Sequence, residues 1–303
     1  MDDHGEAPTI SSEAESGPHR GRPSSSGGAD SAATILISPH ADDIAYSLGG
    51  AILVEFFRRP LLMVTPFTRS ISAQFFDGAH DVETISRLRG AEELAFCDCV
   101  GCRLIGLGLP EASLSSESGR YYHPLVHLAS LTCGWPAPKD RLARRAYGVA
   151  GLTPRSARSF LLQKVARVDP LYAALRAEIL SILSSHPDAV LVSPLGLGNH
   201  PNHVILSRVC RSLKGSAAKL YFYEDLPYAS SYSPRTIERY VRLFDGRLRP
   251  ISLDIGAVMD RKVRNLFLYR SQVNSRNAER VLRHARALST DGGLRERMWT
   301  YEP

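Results

Sequence analysis

The sequence predicts an α/β fold, Rossmann-like, with a mostly parallel sheet and helices on both faces. From Thr34 onward, short apolar runs rich in β-branched residues alternate with longer segments of helical spacing. Such runs are typical of strands buried on both faces. Strands that alternate with helices imply parallel crossover connections. The 303 residues suffice for one large domain of this class.

The apolar runs and the segments between them give the predicted order of elements. Strands are predicted at residues 34–38, 61–68, 103–110, 188–196 and 219–224. Helices are predicted at residues 47–59, 83–100, 169–184 and 200–213. Pro201 begins the last of these helices, at a position where proline is favoured because its missing N–H is not needed. Beyond residue 224, helices are predicted near 234–244, 258–273 and 278–287, with a strand at 250–255.

Composition divides the chain into a tail and one domain. Residues 1–31 are rich in Ser, Gly, Pro and charge, which predicts a disordered N-terminal tail. Residues 32–303 are predicted to form a single domain, in which 112–168 is an insertion and 224–303 a C-terminal region. Seven basic residues and one acid lie in the stretch 139–164. That stretch is either a solvated surface or a docking surface for an anionic substrate or carrier.

Net charge, hydropathy and cysteine content predict neither a nucleic-acid-binding protein nor a membrane protein. The net charge of +6 is mild, and no basic motif interleaved with aromatic residues predicts nucleic-acid binding. The sequence contains no run of 18 consecutive apolar residues, so no transmembrane helix is predicted. An odd number of cysteines, five, and a polar, acidic N-terminus predict a cytoplasmic protein. Nothing in the sequence indicates the oligomeric state.

Two histidine-containing motifs follow predicted strands. "SPHADD" places His40, Asp42 and Asp43 after the first strand, and "NHPNH" places His200 and His203 at the start of a helix. Ligands of open α/β sheets bind beyond the carboxyl ends of the strands, so both motifs are expected at one edge. Imidazole nitrogen and carboxylate oxygen are normal zinc ligands. The alternative is that the aspartate pair caps the helix that follows it.

Taken together, these motifs resemble the PIG-L/LmbE-like family of zinc-dependent N-deacetylases. The family has a PHxDD-type motif after its first strand and an HxxH motif before a later helix. The stretches "RGAEELAFCDCVG", "LGLPEA", "YFYEDLPYA" and "KVRNLFLYRSQV" are also similar to family segments. The resemblance extends from about Thr34 to Gln272.

The resemblance implies a role for each matching residue. His40, Asp43 and His203 match the zinc ligands, so Zn²⁺ is the implied cofactor. Asp42 matches the catalytic base, and His200 matches the histidine that faces the reacting carbonyl. If protonated, this histidine would be the oxyanion donor and would later protonate the leaving amine.

Three further residues are expected to contact the substrate, one from the resemblance and two from their position in the sequence. Arg89 matches an arginine that holds the sugar. Glu224 and Asp225, a second acidic pair at a strand end, are interpreted as residues that orient substrate hydroxyls or His200. Capping of the next segment is an equal alternative for this pair.

The sequence also departs from the family pattern. Ala41 stands where proline is usual, and Ile44 stands where many members have glutamate. Gly198 occupies the position at which some members have a tyrosine, two residues before the first histidine of the second motif. Position 198 therefore cannot supply the transition-state stabilisation that this tyrosine gives in other members. The substrate preference is also not predicted.

Two further motifs have ordinary explanations. Cys97 and Cys99 are two residues apart on a predicted helix and so point in different directions, which argues against a zinc site with Cys102. "SLGG" and "LGLGNH" lack the glycine spacing of a dinucleotide-binding turn.

The predicted reaction is zinc-dependent hydrolysis of an N-acetyl amide on an amino sugar or a sugar-containing natural-product intermediate. The products would be acetate and a free amine, and the partner would be a small N-acetylated molecule, free or linked to a nucleotide or carrier. Alternatives are an amidase for a larger thiol conjugate, such as a mycothiol S-conjugate, and a non-catalytic binding protein that keeps the fold. Magnesium-dependent phosphoryl chemistry is disfavoured because Mg²⁺ prefers oxygen ligands.

Overall fold

The computed structural model describes residues 32–78, 81–111 and 171–302. The predicted disordered tail, residues 1–31, and the predicted insertion, 112–168, lie outside the described residues. In the part described, no helix combines the length and the apolar character that a membrane span requires.

A seven-stranded sheet forms the centre of the fold. Its strands are β1 (Thr34–Ile37), β2 (Leu61–Thr65), β3 (Cys102–Gly106), β4 (Val190–Pro194), β5 (Lys219–Tyr223), β6 (Leu248–Asp254) and β7 (Arg295–Tyr301). They lie in the order β3-β2-β1-β4-β5-β7-β6. The first five pair in parallel, and β7 is antiparallel to both β5 and β6. The predicted mostly parallel α/β fold is confirmed.

The connections place a crevice at the centre of the sheet. The chain runs from β1 to β2 and β3 on one side, then returns to β4 and β5 on the other side of β1. The strand order therefore reverses between β1 and β4, which pair through Ile35 and Leu191. Ligands in doubly wound folds bind outside the carboxyl ends of the strands at such a switch point.

Seven helices accompany the described strands. They are α1 (Asp43–Leu53), α2 (Val82–Val100), α3 (Leu171–Ser184), α4 (Pro201–Ser212), α5 (Pro234–Phe244), α6 (Met259–Leu266) and α7 (Ser275–Ala287). The first helix differs from the predicted 47–59: it begins at Asp43, and it ends at Leu53, just before Glu55 takes a left-handed φ of 56°. The helix predicted over 258–273 ends at Leu266.

Close packing of α1 explains the glycine pair of "SLGG". A Cβ at Gly49 would lie 3.2 Å from Lys262 Cγ, and a Cβ at Gly50 would lie 2.7 Å from Glu296 Oε1. Glu296 accepts hydrogen bonds from the backbone N–H groups of Gly50 (2.9 Å) and Ala51 (2.7 Å) and from the Lys262 ammonium. The two glycines therefore let α1 approach a buried ion pair that joins α6 to β7.

The cysteines of "CDCVGC" take the ordinary positions that were predicted. Cys97 is buried in the core, Cys99 is exposed on the opposite side of α2, and Cys102 begins β3. All three are free thiols.

Candidate active site

The loops after β1 and β4 bring both sequence motifs to one place. His40 lies three residues after the end of β1, Asp43 begins α1, and His203 lies in the first turn of α4. The rings of His40 and His203 are 5.2 Å apart between centroids, and those of His40 and His200 are 4.6 Å apart. Residues some 160 positions apart in the sequence thus meet at the switch point of the sheet.

Asp43 lies between the two histidines. Its Oδ2 is 3.1 Å from His40 Nδ1 and 3.3 Å from His203 Nε2, and it accepts the backbone N–H of His40 at 2.8 Å. Burial by itself would raise the pKa of Asp43, but His203 and His40 outweigh it and hold the pKa well below the usual range of an aspartate. Asp43 is therefore a buried carboxylate.

Asp225 determines which nitrogen of His203 faces Asp43. Asp225 Oδ1 lies 2.8 Å from His203 Nδ1, and Asp225 Oδ2 accepts the backbone N–H of Leu197 at 2.9 Å. Burial would lower the pKa of His203, but Asp43 and Asp225 together raise it to about 10. The fold therefore favours a positive charge between His203 Nε2 and Asp43.

The donor set fits a metal ion. His203 Nε2 is buried and close to Asp43 Oδ2 but has no partner with hydrogen-bond geometry among the described residues. Four-coordinate zinc, with bonds of about 2.0–2.1 Å, holds its ligand atoms about 3.3 Å apart. The separations of 3.1 Å and 3.3 Å agree with this value. Asn202 Nδ2 is 2.9 Å from His40 Nε2, and since an amide offers either a nitrogen or an oxygen, it can satisfy both tautomers of His40.

His200 lies beside this set and lines the cavity. One donor atom each of His40, His200 and His203 can be placed within 4.8 Å of the others. Burial lowers the pKa of His200 well below its usual value, and the two other histidines lower it further. The protonated His200 considered from the sequence is thus not the favoured state here. Its Nδ1 is buried without a hydrogen-bond partner in the described structure.

Asp42 does not act as a helix cap. It occupies the residue before α1, yet its side chain makes no capping hydrogen bond to that helix. Instead, Asp42 Oδ1 accepts from Arg89 Nη2 at 3.3 Å. Burial raises the pKa of Asp42 despite the opposing charge of Arg89, and Asp43 adds to the rise. Asp42 also lines the cavity, so its side chain faces the space beside the histidines.

Arg89 is more enclosed than a residue that only binds sugar would be. It is 6% exposed, and its Nη1 donates to Glu111 Oε1 at 2.6 Å and to Ser70 Oγ at 2.9 Å. Together with the contact to Asp42, the guanidinium links two carboxylates. Arg89 lines the cavity, but most of its hydrogen bonds are made within the protein.

The two acidic side chains that follow β5, Glu224 and Asp225, point to different partners, which the sequence did not predict. The carboxylate of Glu224 contacts His284 Nε2 at 2.9 Å, Arg297 Nε at 2.5 Å and Trp299 Nε1 at 2.9 Å. These partners engage the Glu224 carboxylate, and Glu224 is not among the described residues that line the cavity beside the histidines, so its contact with substrate hydroxyls stays a prediction. Asp225 does reach the site, but it is completely buried and contacts His203 rather than His200.

Tyr228 occupies the space that a side chain at position 198 would need. Gly198 has a φ of 89°, and a Cβ built there would lie 2.4 Å from Tyr228 Cβ. The Tyr228 ring packs edge-on against His203, with centroids 5.4 Å apart, and it lines the cavity. Glycine at 198 is thus coupled to a tyrosine that comes from a different loop.

A polar cavity opens beside these groups. Its volume is about 210 Å³, and its walls are His40, Asp42, Asp43, Tyr46, Ser72, Gln74, Arg89, Glu111, His200, Pro227, Tyr228, Gln272, Asn277 and Arg280. Sequence reasoning missed Asn202 and Glu111, although each stands inside a stretch that resembles the family. It also missed the part of the wall that comes from the C-terminal region.

Comparison with known proteins agrees with the fold. No protein-family model matches the chain. A 2′-N-acetylparomamine deacetylase from Streptomyces fradiae is 31% identical over 257 residues, which cover 84% of this chain and 78% of that protein. Two solved structures share the fold. The zinc-inhibited form of teicoplanin deacetylase Orf2 has a TM-score of 0.59 at 18% identity and covers 88% of this chain and 97% of its own. The N,N′-diacetylchitobiose deacetylase from Pyrococcus horikoshii has a TM-score of 0.53 at 13% identity. The match covers 88% of this chain and 82% of the chitobiose deacetylase.

The family resemblance seen in "SPHADD" and "NHPNH" is confirmed by this relationship. The Streptomyces fradiae relative matches over most of both chains, and the solved deacetylases share the fold. The chain belongs to the PIG-L/LmbE-like family of N-deacetylases.

Proposed function

We propose that this protein hydrolyses the N-acetyl amide of an amino sugar or a sugar-containing natural-product intermediate, and that it requires zinc. The observation that carries the proposal is the position of Asp43 Oδ2, which lies 3.1 Å from His40 Nδ1 and 3.3 Å from His203 Nε2, with Asp42 lining the same cavity. The 31%-identical relative is a deacetylase of 2′-N-acetylparomamine, which supports the substrate class.

His40, Asp43 and His203 would hold the zinc ion. Asp43 is chosen over His200 as the third ligand because Asp43 makes the short contacts to both other residues. When bound, zinc supplies Lewis-acid chemistry, which makes water more acidic and an amide carbonyl more electrophilic. Asp225 would position His203 through Nδ1 and so keep Nε2 directed at the site.

Asp42 would act as the general base. It is adjacent to a ligand in sequence but is not itself part of the donor set, so its carboxylate can accept a proton from the attacking water. Arg89 fixes one oxygen of this carboxylate. The water oxygen then forms a bond to the carbonyl carbon, and the carbonyl oxygen becomes negatively charged.

His200 would stabilise that negative charge. It lines the same cavity as Asp42 and can present a ring N–H without carrying a net charge. Asp42 then returns its proton to the amide nitrogen as the C–N bond breaks. The proton taken from water leaves with the amine, so acetate and a free amine balance the reaction without a second acid.

The test combines metal analysis with amine release. The purified chain is loaded with one equivalent of zinc, not an excess, because a structural relative has a zinc-inhibited form. It is then given a panel of N-acetylated sugars, including 2′-N-acetylparomamine. We expect about one zinc per chain and amine release from at least one sugar. Absence of zinc after loading would overturn the proposal.

Two substitutions separate the roles of the adjacent aspartates. Asp42→Asn should keep zinc and lose turnover by about 10²–10⁴-fold, the usual contribution of a general base, whereas Asp43→Asn should lose zinc. Asp98→Asn, an exposed position on α2, is the control and should change neither. If Asp42→Asn loses zinc while Asp43→Asn keeps it, the two assignments are reversed.

A further inference from the structure

Tyr46 carries a buried hydroxyl that makes no hydrogen bond of normal geometry with the described residues. Its side chain is 1% exposed, and its Oη has no hydrogen-bond partner among the described residues. It lies on α1, one turn beyond Asp42, and it lines the cavity. Burial of a hydroxyl without a partner is unfavourable. A partner from the substrate would remove this cost.

Two residues of α7 accompany Tyr46 in the cavity wall. Asn277 and Arg280 are three residues apart, so they lie on the same face of the helix. Burial raises the pKa of Tyr46, while the amide of Asn277 and the charge of Arg280 act in the opposite direction. The hydroxyl, the amide and the guanidinium belong to residues that line the same cavity, with the Asn277 amide beside the Tyr46 hydroxyl.

Arg280 brings a positive charge that no carboxylate neutralises in the described ranges. Its Nε donates to Ser230 Oγ at 3.1 Å, and its Nη2 lies 3.2 Å from the carbonyl oxygen of Pro227 and 3.3 Å from Ser231 Oγ. These neutral partners fix the side chain. Arg89, by contrast, contacts two acids. Arg280 is thus a positioned cation with capacity for an oxygen acceptor.

We propose that Tyr46, Asn277 and Arg280 form a subsite for an oxygen substituent, a hydroxyl or an acidic group, on the ring that carries the acetamide. The proposal rests on the proposed deacetylase function. All three side chains can donate hydrogen bonds to such an oxygen, whereas an ammonium group would be repelled by Arg280. The subsite therefore selects hydroxylated or acidic rings over rings with a free amine at this point.

The size of the cavity places the subsite and the reacting group on one ring. Sites for drug-sized ligands have volumes of about 300–1,000 Å³, and the cavity formed by the described residues has about 210 Å³. That is room for about one sugar ring. A ring whose acetamide reaches His200 and Asp42 would therefore lie in the same cavity as Tyr46 and the α7 residues.

Two variants test the side chains. Tyr46→Phe removes only the hydroxyl, and we expect KM to rise about 5–10-fold, as for a lost neutral hydrogen bond, without a lower melting temperature. A hydroxyl with a structural role would instead lower the melting temperature. Arg280→Gln should raise KM about 10–100-fold, as for a charged hydrogen bond. Arg283→Gln, exposed on the same helix, is the matched control and should leave KM unchanged.

A set of three substrates tests the selectivity. N-acetylglucosamine, its 6-carboxylate and its 6-amino-6-deoxy derivative differ only in one substituent. We expect the zinc-loaded protein to use the hydroxyl and carboxylate forms at least 10-fold better, in kcat/KM, than the amino form. Arg280→Gln should reduce that preference, and Arg283→Gln should keep it. Equal or better use of the amino form by the wild type would overturn the proposal.

Binding measurements test the subsite independently of the proposed deacetylase reaction. The same three sugars are titrated calorimetrically into the zinc-loaded Asp42→Asn variant, which is expected to be unable to turn them over. The order of affinities should match the order above, and Tyr46→Phe in this background should weaken binding. If no sugar releases an amine but the affinities follow this order, the proposed reaction fails while the subsite stands. Affinities that are equal, or highest for the amino form, overturn the subsite.

Discussion

Asp225 holds His203 through a 2.8 Å contact between Asp225 Oδ1 and His203 Nδ1, and so directs His203 Nε2 at Asp43. The same carboxylate accepts the backbone N–H of Leu197 with its other oxygen. The orientation of a ligand candidate is therefore tied to the backbone of the loop after β4.

Replacement of Asp225 by asparagine should weaken zinc binding. An asparagine amide keeps one acceptor oxygen, so it loses the bond either to His203 or to Leu197. We expect zinc affinity to fall about 10–100-fold, the usual effect of losing such a partner, measured by competition with a chelator. Asp245→Asn is the control, because Asp245 pairs with Arg211 away from the site. It should lower stability without changing zinc affinity. Equal losses of affinity in both variants would contradict the role of Asp225.

Gly50 and Gly90 make a matched pair for helix packing. A Cβ at Gly50 would lie 2.7 Å from both Glu296 Oε1 and Ile255 Cγ2, whereas a Cβ at Gly90 meets none of the described residues within 4 Å. We expect Gly50→Ala to lower the free energy of unfolding by about 1–3 kcal/mol through overpacking. Gly90→Ala should raise it by about 0.5–1 kcal/mol through helix propensity. Urea unfolding of both variants measures this, and a neutral Gly50→Ala would show that α1 can move away from β7.

The sequence predicted the parallel half of the sheet well and missed β7 for a physical reason. Strands β1 and β2 are buried along their whole length, so their apolar runs are unambiguous. Strand β7 begins Arg295–Glu296–Arg297, which interrupts any apolar pattern. Glu296 is nevertheless buried, because Lys262 pairs with it from a helix more than 30 residues earlier. A long-range ion pair of this kind leaves no local signal.

The sequence predicts which site residues meet when their positions at strand ends and helix starts decide it. It does not predict the contacts that depend on the direction of a side chain. His40, Asp43 and His203 follow strand ends or begin helices, so their meeting could be expected from topology. Glu224 and Asp225 are adjacent, and neighbouring residues at a strand end point to opposite faces. The sequence does not tell which of the two faces the site, and the structure assigns Asp225 to His203 and Glu224 to Arg297.

Glu93 should make stability depend on pH. It is a buried acid that accepts a hydrogen bond from Thr65, and burial raises its pKa to about 8 from an ordinary value of 4.5. Because the folded state keeps the proton longer than the unfolded state, this group lowers stability as pH rises from about 4.5, and the loss levels off above pH 8. Glu93→Gln removes that loss.

The measurement is urea unfolding of Glu93→Gln and wild type at pH 5 and pH 8. The free energy of unfolding of the variant, relative to wild type, should rise by about 2–4 kcal/mol between these pH values. Glu83→Gln, exposed on the same helix, should show no such change. A difference that is the same at both pH values would mean that Glu93 is ionised in the folded protein at pH 5.

Gly198 and Tyr228 should be energetically coupled. A Cβ at position 198 would collide with Tyr228 Cβ at 2.4 Å, and the φ of 89° adds strain. We expect Gly198→Ala to cost more than the roughly 1–2 kcal/mol of a left-handed alanine. In the Tyr228→Gly background the cost should fall toward that value, because the collision is gone. A double-mutant cycle from urea unfolding measures the coupling, and strictly additive effects would contradict it.

Arg89→Lys should reduce kcat more than it raises KM. The guanidinium links Asp42, Glu111 and Ser70, and the single ammonium of lysine cannot reproduce this planar set of donors. Asp42 would then lose its fixed orientation as general base, and we expect kcat to fall about 10–100-fold, part of the usual contribution of such a base. Arg87→Lys, on the exposed face of the same helix, should behave as wild type. A rise in KM with unchanged kcat would instead assign Arg89 to direct contact with the sugar, as the family resemblance implies. The two outcomes differ because a positioning residue acts through Asp42 on the chemical step, whereas a sugar-binding residue acts on the complex before it.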